Sequence, residues 1–222
     1  RAPLALGLAK GARVGVWMPN GPDWLVAWLA AARIGCVVVP INTFYQPREL
    51  AFVLRHADVH ALLCVSRHLG NDQLERLEAV APGLAGATSQ TLFLDEIPQL
   101  RHVVVWGGAD RAWARSERDL EAAAEGSRAV DAAFLAEVER SVSPADPMAI
   151  LYTSGSTADP KGAVHSHGSL IRHACNLNAL RDLRADDRIY SPMPFFWVGG
   201  FVFTLLSAMH AGACLLCEER FE

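Results

Sequence analysis

The sequence predicts an α/β fold of layered, mostly parallel sheets flanked by helices. Three observations carry that prediction. Short apolar runs alternate with helix-length segments through the first half of the chain, the pattern of a parallel sheet with crossover helices. Some of these runs, such as CVVVPI at 36–41, are continuous rather than alternating, as in strands buried on both faces. The composition, 51% apolar and 20% charged over 222 residues, is that of an ordinary globular chain.

Taken in order, ARVGVWM (12–18) reads as a strand. In NGPDW, Asn20 is a candidate helix cap, Pro22 suits a first helical turn, and Asp23 suits the positive end of the helix dipole. The helix that follows places Trp24, Trp28 and Ala32 on one stripe and stops at Gly35, so Trp24 and Trp28 read as core. Residues 36–41 form a second strand, 46–57 a helix with Pro47 near its start, and 60–65 a third strand. A helix over roughly 71–81 and strands at 91–94 and 102–106 complete this region. Residues 107–145 are charged and alanine-rich, and predict one or two exposed helices on a connecting segment, with a solvated face over 110–140.

The chain therefore divides into 1–145, a first α/β sheet region with connecting helices, and 146–222, a second α/β segment. The second part reads as a strand at 148–153, a strand or loop at 162–167, a helix at 168–183, a strand at 187–193, a two-glycine loop, a helix at 201–212 and a last strand in ACLLC. Both ends read as cut from a longer protein.

Net charge is −4, from 20 basic and 24 acidic residues, which argues against a nucleic-acid surface. Five cysteines (Cys36, Cys64, Cys175, Cys214 and Cys217) at irregular spacing do not form a disulfide framework and read as buried free thiols of a reducing compartment. No apolar run approaches the ~18 residues of a membrane span, and no leader pattern opens the chain. A soluble, cytoplasmic protein is expected.

The stretch YTSGSTADPKGAVHSHGSL (152–170) buries too little apolar surface to be core. Thr153, Ser154, Gly155, Ser156 and Thr157 supply four hydroxyls and a glycine, whose small side chains leave backbone N–H groups free to converge on an anion. Lys161 adds a mobile positive charge suited to phosphate. The usual phosphate-loop pattern needs a glycine directly before the lysine and a hydroxyl residue after it. Here Pro160 and Gly162 flank Lys161, so the geometry must differ. A plain flexible linker fits less well, because the stretch lies between two strand-like runs.

These residues closely resemble the phosphate loop of the adenylate-forming synthetases, which include acyl- and aryl-CoA synthetases, firefly luciferase and the adenylation domains of peptide synthetases. Three further stretches resemble the family in the same order: GARVGVWMPNGPDWLVAWLAAARIGCVVVPIN, SPMPFFWVGGF and GACLLCEERFE. The resemblance implies the N-terminal portion of a ligase with a two-step reaction. ATP and a carboxylic acid give an acyl-adenylate, and coenzyme A then takes the acyl group. It implies that Thr153, Ser154, Gly155, Ser156, Thr157 and Lys161 cradle the nucleotide phosphates, with Lys161 the catalytic cation and Mg²⁺ sharing the load. It also implies that Trp197, Val198, Gly199 and Gly200 lie near the carboxylate and its acyl chain.

Two positions depart from the family. Ala158 stands where glycine is usual, at a cost of ~1 kcal/mol or more if that position needs positive φ. Trp197 stands where histidine is frequent; it keeps one N–H donor and an apolar face, which points to an apolar acyl or aryl substrate or else to simple packing of the ring. The family's later nucleotide-binding segments and its C-terminal domain, with its lysine, are absent from these residues, so the 222 residues alone are expected to be inactive. An adenylation domain that loads a carrier protein, an aryl acid activator, and a non-catalytic nucleotide-binding fragment remain alternatives. A homodimer is an expectation for a piece with exposed apolar surface. His165 and His167 lack partners for a metal site, His167 reads as the start of the following helix, and Cys214 and Cys217 read as buried strand thiols.

Overall fold

The computed structural model describes residues 1–127, 129–153 and 159–218. After a short helix α1 (Ala2–Ala5) come β1 (Arg13–Trp17), α2 (Pro22–Ala32), β2 (Val37–Pro40), α3 (Pro47–His56) and β3 (Val59–Val65). A small hairpin, β4 (Arg67–His68) and β5 (Asn71–Asp72), leads to α4 (Gln73–Val80) and a 3₁₀ turn at Pro82–Gly86. Then follow β6 (His102–Trp106), β7 (Arg115–Ser116), α5 (Glu117–Gly126), α6 (Ala132–Arg140), β8 (Pro147–Thr153), β9 (Lys161–Ser166) and α7 (His167–Arg181). The chain continues with β10 (Arg188–Ser191), a π-helical segment Gly199–Leu206, α8 (Ser207–Ala211) and β11 (Cys214–Cys217).

Seven strands form one sheet in the order β7-β6-β3-β1-β2-β8-β9. All neighbours are parallel except the antiparallel pair β8–β9. The sheet is thus continuous across residue 145, since Val38 of β2 is the register partner of Ala149 of β8. Parallel strands with crossover helices are covered on both faces, and the side-chain period of two sorts their residues. Val14 and Val16 of β1, Ala61 and Leu63 of β3, and Val38 of β2 pack with Trp24, Trp28 and Phe201 on one face. Trp17, Val39, Leu62 and Cys64 pack with Leu50, Leu54, Leu74 and Leu77 on the other.

Local chemistry sets the helix ends. Pro22 opens α2, and Trp24 and Trp28 are 1% and 3% exposed, as the stripe predicted. Gln46 and Glu49 form a reciprocal capping box at the start of α3, with Pro47 in its first turn. Ser166 caps α7 by accepting from Ser169 N–H at 3.2 Å, so His167 is the first helical residue.

Several expectations are corrected. Asn20 does not cap α2; that position falls to Gly21, and Asn20 turns elsewhere. Residues 91–94 are not a strand. Leu92 and Leu94 are buried in the second core, and Leu92 N–H donates to Arg101 O, but no ladder forms: the apolar run reflects packing rather than pairing. The hairpin β4–β5 was not legible because its turn, Leu69-Gly70, has both residues at positive φ (49° and 77°), a geometry that Asn-Gly would have announced. Within the connecting segment α5 buries Leu120 and Ala124, and Trp113 is 2% exposed, while α6 buries no residue. The last predicted helix, 201–212, starts two residues earlier as a π-helical segment, Gly199–Leu206, and is α-helical only over Ser207–Ala211.

The cysteines divide. All five are free, but only Cys36 and Cys64 are buried, and burial pushes both thiols up to about 12. Cys175 and Cys214 are exposed and Cys217 is half-buried, because α7 and β11 each keep one face in solvent. No helix among the described residues is long and apolar enough to cross a membrane.

Candidate functional site

β8, next to the sheet edge, carries the chain out to Tyr152 and Thr153, and the edge strand β9 brings it back from Lys161. Thr153 and Lys161 are register partners at the open end of this pair, and both are exposed. Ser154, Gly155, Ser156 and Thr157 lie outside the described residues, as does Ala158. Beyond them Asp159 approaches the Arg48 guanidinium of α3 at 3.9 Å.

Gly162 has a steric task next to Lys161. A Cβ there would stand 2.8 Å from Ile150 Cγ2 and 3.1 Å from Tyr152 Cζ. Its absence lets the Tyr152 ring lie across the partner strand, as aromatic residues often do over strand glycines. The Tyr152 hydroxyl is then 2.7 Å from His56 Nδ1, whose ring stacks on Phe52. Burial, followed by the charges of Tyr45 and Asp58, pushes the Tyr152 phenol up to about 12, so it is a neutral hydrogen-bonding group.

Residues 193–200 face this pair. Asn20, 8% exposed, sends Nδ2 to Met193 O at 3.0 Å, and its Oδ1 accepts from Phe195 N–H at 2.7 Å. Phe195 is buried edge-on against Trp24 of α2. The chain then turns sharply: Trp197 N–H donates to Pro194 O, and Phe201 N–H to Trp197 O. A Cβ on Gly200 would sit 2.0 Å from Pro194 O, so only glycine permits this backbone approach. Gly200 opens into the π-helical segment, a distortion frequent at functional sites.

The two walls enclose a cavity of about 710 Å³. Tyr152, Thr153 and Pro160 border it on one side, and Met193, Phe196, Trp197, Val198 and Gly199 on the other. Phe44, Tyr45, Gln46 and Glu49 contribute further lining from the β2–α3 connection and the start of α3. Trp197 is half exposed, with its ring edge-on to Phe196. Of the residues expected at the site, Thr153, Trp197, Val198 and Gly199 are brought together. Lys161 directly follows Pro160 of the lining, and Gly200 is buried behind the wall against Pro194. Two other cavities, about 480 Å³ beside α1 and α5 and about 530 Å³ between α2, α7 and α8, contain none of them.

Sequence reasoning gave no role to Tyr152, although it opens the hydroxyl-rich stretch, nor to His56 and Tyr45, which carry no motif, and it misread Asn20, whose partners lie more than 170 residues away. Among the described residues no group of three or more His, Cys, Asp or Glu side chains could hold a metal. His167 is half-buried, and burial lowers its pKa.

Comparison with known proteins identifies the family and the fold. A family model described as AMP-binding enzyme matches residues 3–222. The chain is 31% identical over 218 residues to the long-chain-fatty-acid–CoA ligase FadD13 of Mycobacterium tuberculosis, covering 98% of this chain and 37% of the relative. It is 30% identical over 227 residues to the mitochondrial medium-chain acyl-CoA ligase ACSF2 of Bos taurus, covering 99% and 36%. The fold matches the crystal structure of the anthranilate CoA ligase AuaEII in complex with anthranoyl-AMP, with a TM-score of 0.74 at 23% identity over 97% of this chain and 37% of that one. The chain spans 32% to 39% of the length of the curated relatives it matches.

Proposed function

The chain belongs to the AMP-binding enzyme family, and from that premise we propose that the whole protein is an ATP-dependent acyl-CoA synthetase acting on an apolar carboxylic acid. A carboxylate oxygen attacks the α-phosphorus of ATP, the bond to the bridging oxygen breaks, and pyrophosphate leaves. The thiolate sulfur of coenzyme A then attacks the acyl carbonyl and AMP departs. The single observation that supports this reading most is that one cavity is bordered both by Thr153 and Pro160, the flanks of the hydroxyl-rich stretch, and by Trp197, Val198 and Gly199. An anion and an acyl chain would meet there.

In this reading Lys161 contacts the phosphates together with Thr153, Ser154, Gly155, Ser156 and Thr157, and offsets charge as pyrophosphate leaves. Phe44, Phe196, Trp197 and Val198 line the cavity with apolar surface, which favours a fatty or aryl group over a charged one. Relatives named for medium- and long-chain acids support the same substrate class. Mg²⁺ belongs to the proposal as a companion of ATP. Phosphate oxygens would supply part of its coordination. The five free thiols support a cytoplasmic setting.

The test is acid-dependent exchange of labelled pyrophosphate into ATP by the full-length protein, across straight-chain and aromatic acids. Exchange with apolar acids is expected, falling by roughly 10²–10³ in Lys161→Ala. No exchange with any acid would refute the reading.

A further inference from the structure

We infer that Asn20 is a positioning residue for the acid-binding wall, and that through it the β1–α2 connection helps set which acids the enzyme accepts. The inference rests on the reading of the 710 Å³ cavity as the acid site.

Residues 192–198 belong to neither sheet, so Met193 O and Phe195 N–H have no strand to pair with. A carboxamide carries one acceptor and paired donors side by side. Asn20 offers this set to the carbonyl of one residue and the N–H of the residue two further on, as a neighbouring strand would. Asn20 is itself buried and fixed directly after β1, the central strand of the sheet. The position of residues 193–195 is thereby referred to the most rigid part of the molecule.

The next residues are the wall. Phe196, Trp197, Val198 and Gly199 line the cavity in succession, and the turn that aims them is built on Pro194, between the two atoms Asn20 holds. Pro194 O accepts from Trp197 N–H and also meets Gly200 with no room for a Cβ. A rotation of the 193–195 backbone would therefore carry Trp197 and Val198 with it. Phe195 keeps an independent hold through Trp24 and the core, so losing the amide would loosen the wall rather than release it. Small displacements of substrate-positioning groups have large kinetic effects.

The experiment uses the full-length enzyme with Asn20→Ala and Asn20→Ser, and measures kcat and KM for a series of straight-chain acids and for ATP. Expected is a rise of roughly tenfold or more in acid KM and a flattened chain-length profile. KM for ATP should stay within about twofold. The serine variant, which keeps a hydroxyl toward Phe195 N–H, should lie between alanine and the parent. An unchanged chain-length profile, or equal rises in KM for acid and ATP, would overturn the inference. So would failure of both variants to fold, which would make Asn20 a folding residue. An active parent with an unmoved profile removes this inference alone, whereas a parent inactive with every acid removes the functional reading and this inference together.

Discussion

The seven-stranded sheet, parallel but for β8–β9, and the parallel β10–β11 pair each contain a continuous apolar run, yet they are buried to very different degrees. β2, Val37–Pro40, is buried at every position, and β1 at all but its first. In β10 and β11 only Ser191 is buried, while Tyr190 is 60% and Leu216 41% exposed. Tyr190 and Leu216 are register partners on the bare face. The partners Ile189 and Leu215 are half-buried, and Leu215 packs against the first core. CVVVPI and ACLLC look alike as strings. What separates them is coverage among the described residues: helices pack on both faces of the large sheet, while one face of β10 and β11 stays exposed. Burial of a strand is thus a property of its coverage rather than of its own residues.

The sharpest way to break that contrast is a cavity in the large sheet. Leu62 of β3 is 0% exposed and packs in the second core with Ile41, Leu50 and Leu54. Leu62→Ala should lower unfolding free energy by ~2–5 kcal/mol, read from the urea midpoint, because close-packed surroundings collapse only in part around the lost atoms. A loss below ~1 kcal/mol would mean that the large sheet is no better packed than the small one.

A smaller effect should come from acid. His60 of β3 lies where Arg13 N–H of β1 donates to its Nδ1 at 3.2 Å, so that nitrogen must be unprotonated. Burial lowers its pKa first and the Arg13 and Arg101 charges lower it further, against Asp58, which raises it. Burial is also the largest cause lowering His102 and His167. A depressed folded value means that the unfolded chain binds more protons below the ordinary value of 6.5. The stability these groups confer is complete above pH 6.5 and is lost as pH falls through their folded values. Melting temperature should fall by a few degrees between neutral pH and pH ~5, and His60→Gln should flatten part of that slope. A melting temperature that rises on acidification would contradict the assignment of these rings as neutral.

How much of this was legible in the sequence follows from the same contrast. The elements of the large sheet were readable because local signals and burial agree there: Pro22 and Pro47 start helices, Gly35 and Gly212 end them at positive φ, and valine runs form central strands. The run at 91–94 misled because its leucines are buried without a ladder. The exposure of Cys214 was illegible because it depends on a layer that does not cover β11. At the candidate site, Thr153 and Lys161 were singled out because hydroxyl, small and cationic residues in that order have few structural uses, whereas Trp197, Val198, Gly199 and Gly200 were named only through the family resemblance; of these, Thr153, Trp197, Val198 and Gly199 border one cavity and Gly200 lies behind its wall. The roles of Asn20 and of the Tyr152–His56 pair were not found, since their contacts cross long sequence separations and leave no periodic or compositional trace.

The smallest effect is the one that sharpens the comparison most. Leu216→Ser removes an apolar side chain from the bare face of β11, where its main loss is the cross-strand contact with Tyr190. Such pairs contribute ~0.2–1 kcal/mol, and the new hydroxyl meets water rather than core. Leu215→Ser, one residue away, places a hydroxyl against the first core and should cost more, by ~1–3 kcal/mol. The two variants differ only in which face of the strand they alter, so their difference measures coverage directly. Equal losses, both well above ~1 kcal/mol, would show that the Tyr190–Leu216 face is covered in solution and that the small sheet is as fully layered as the large one.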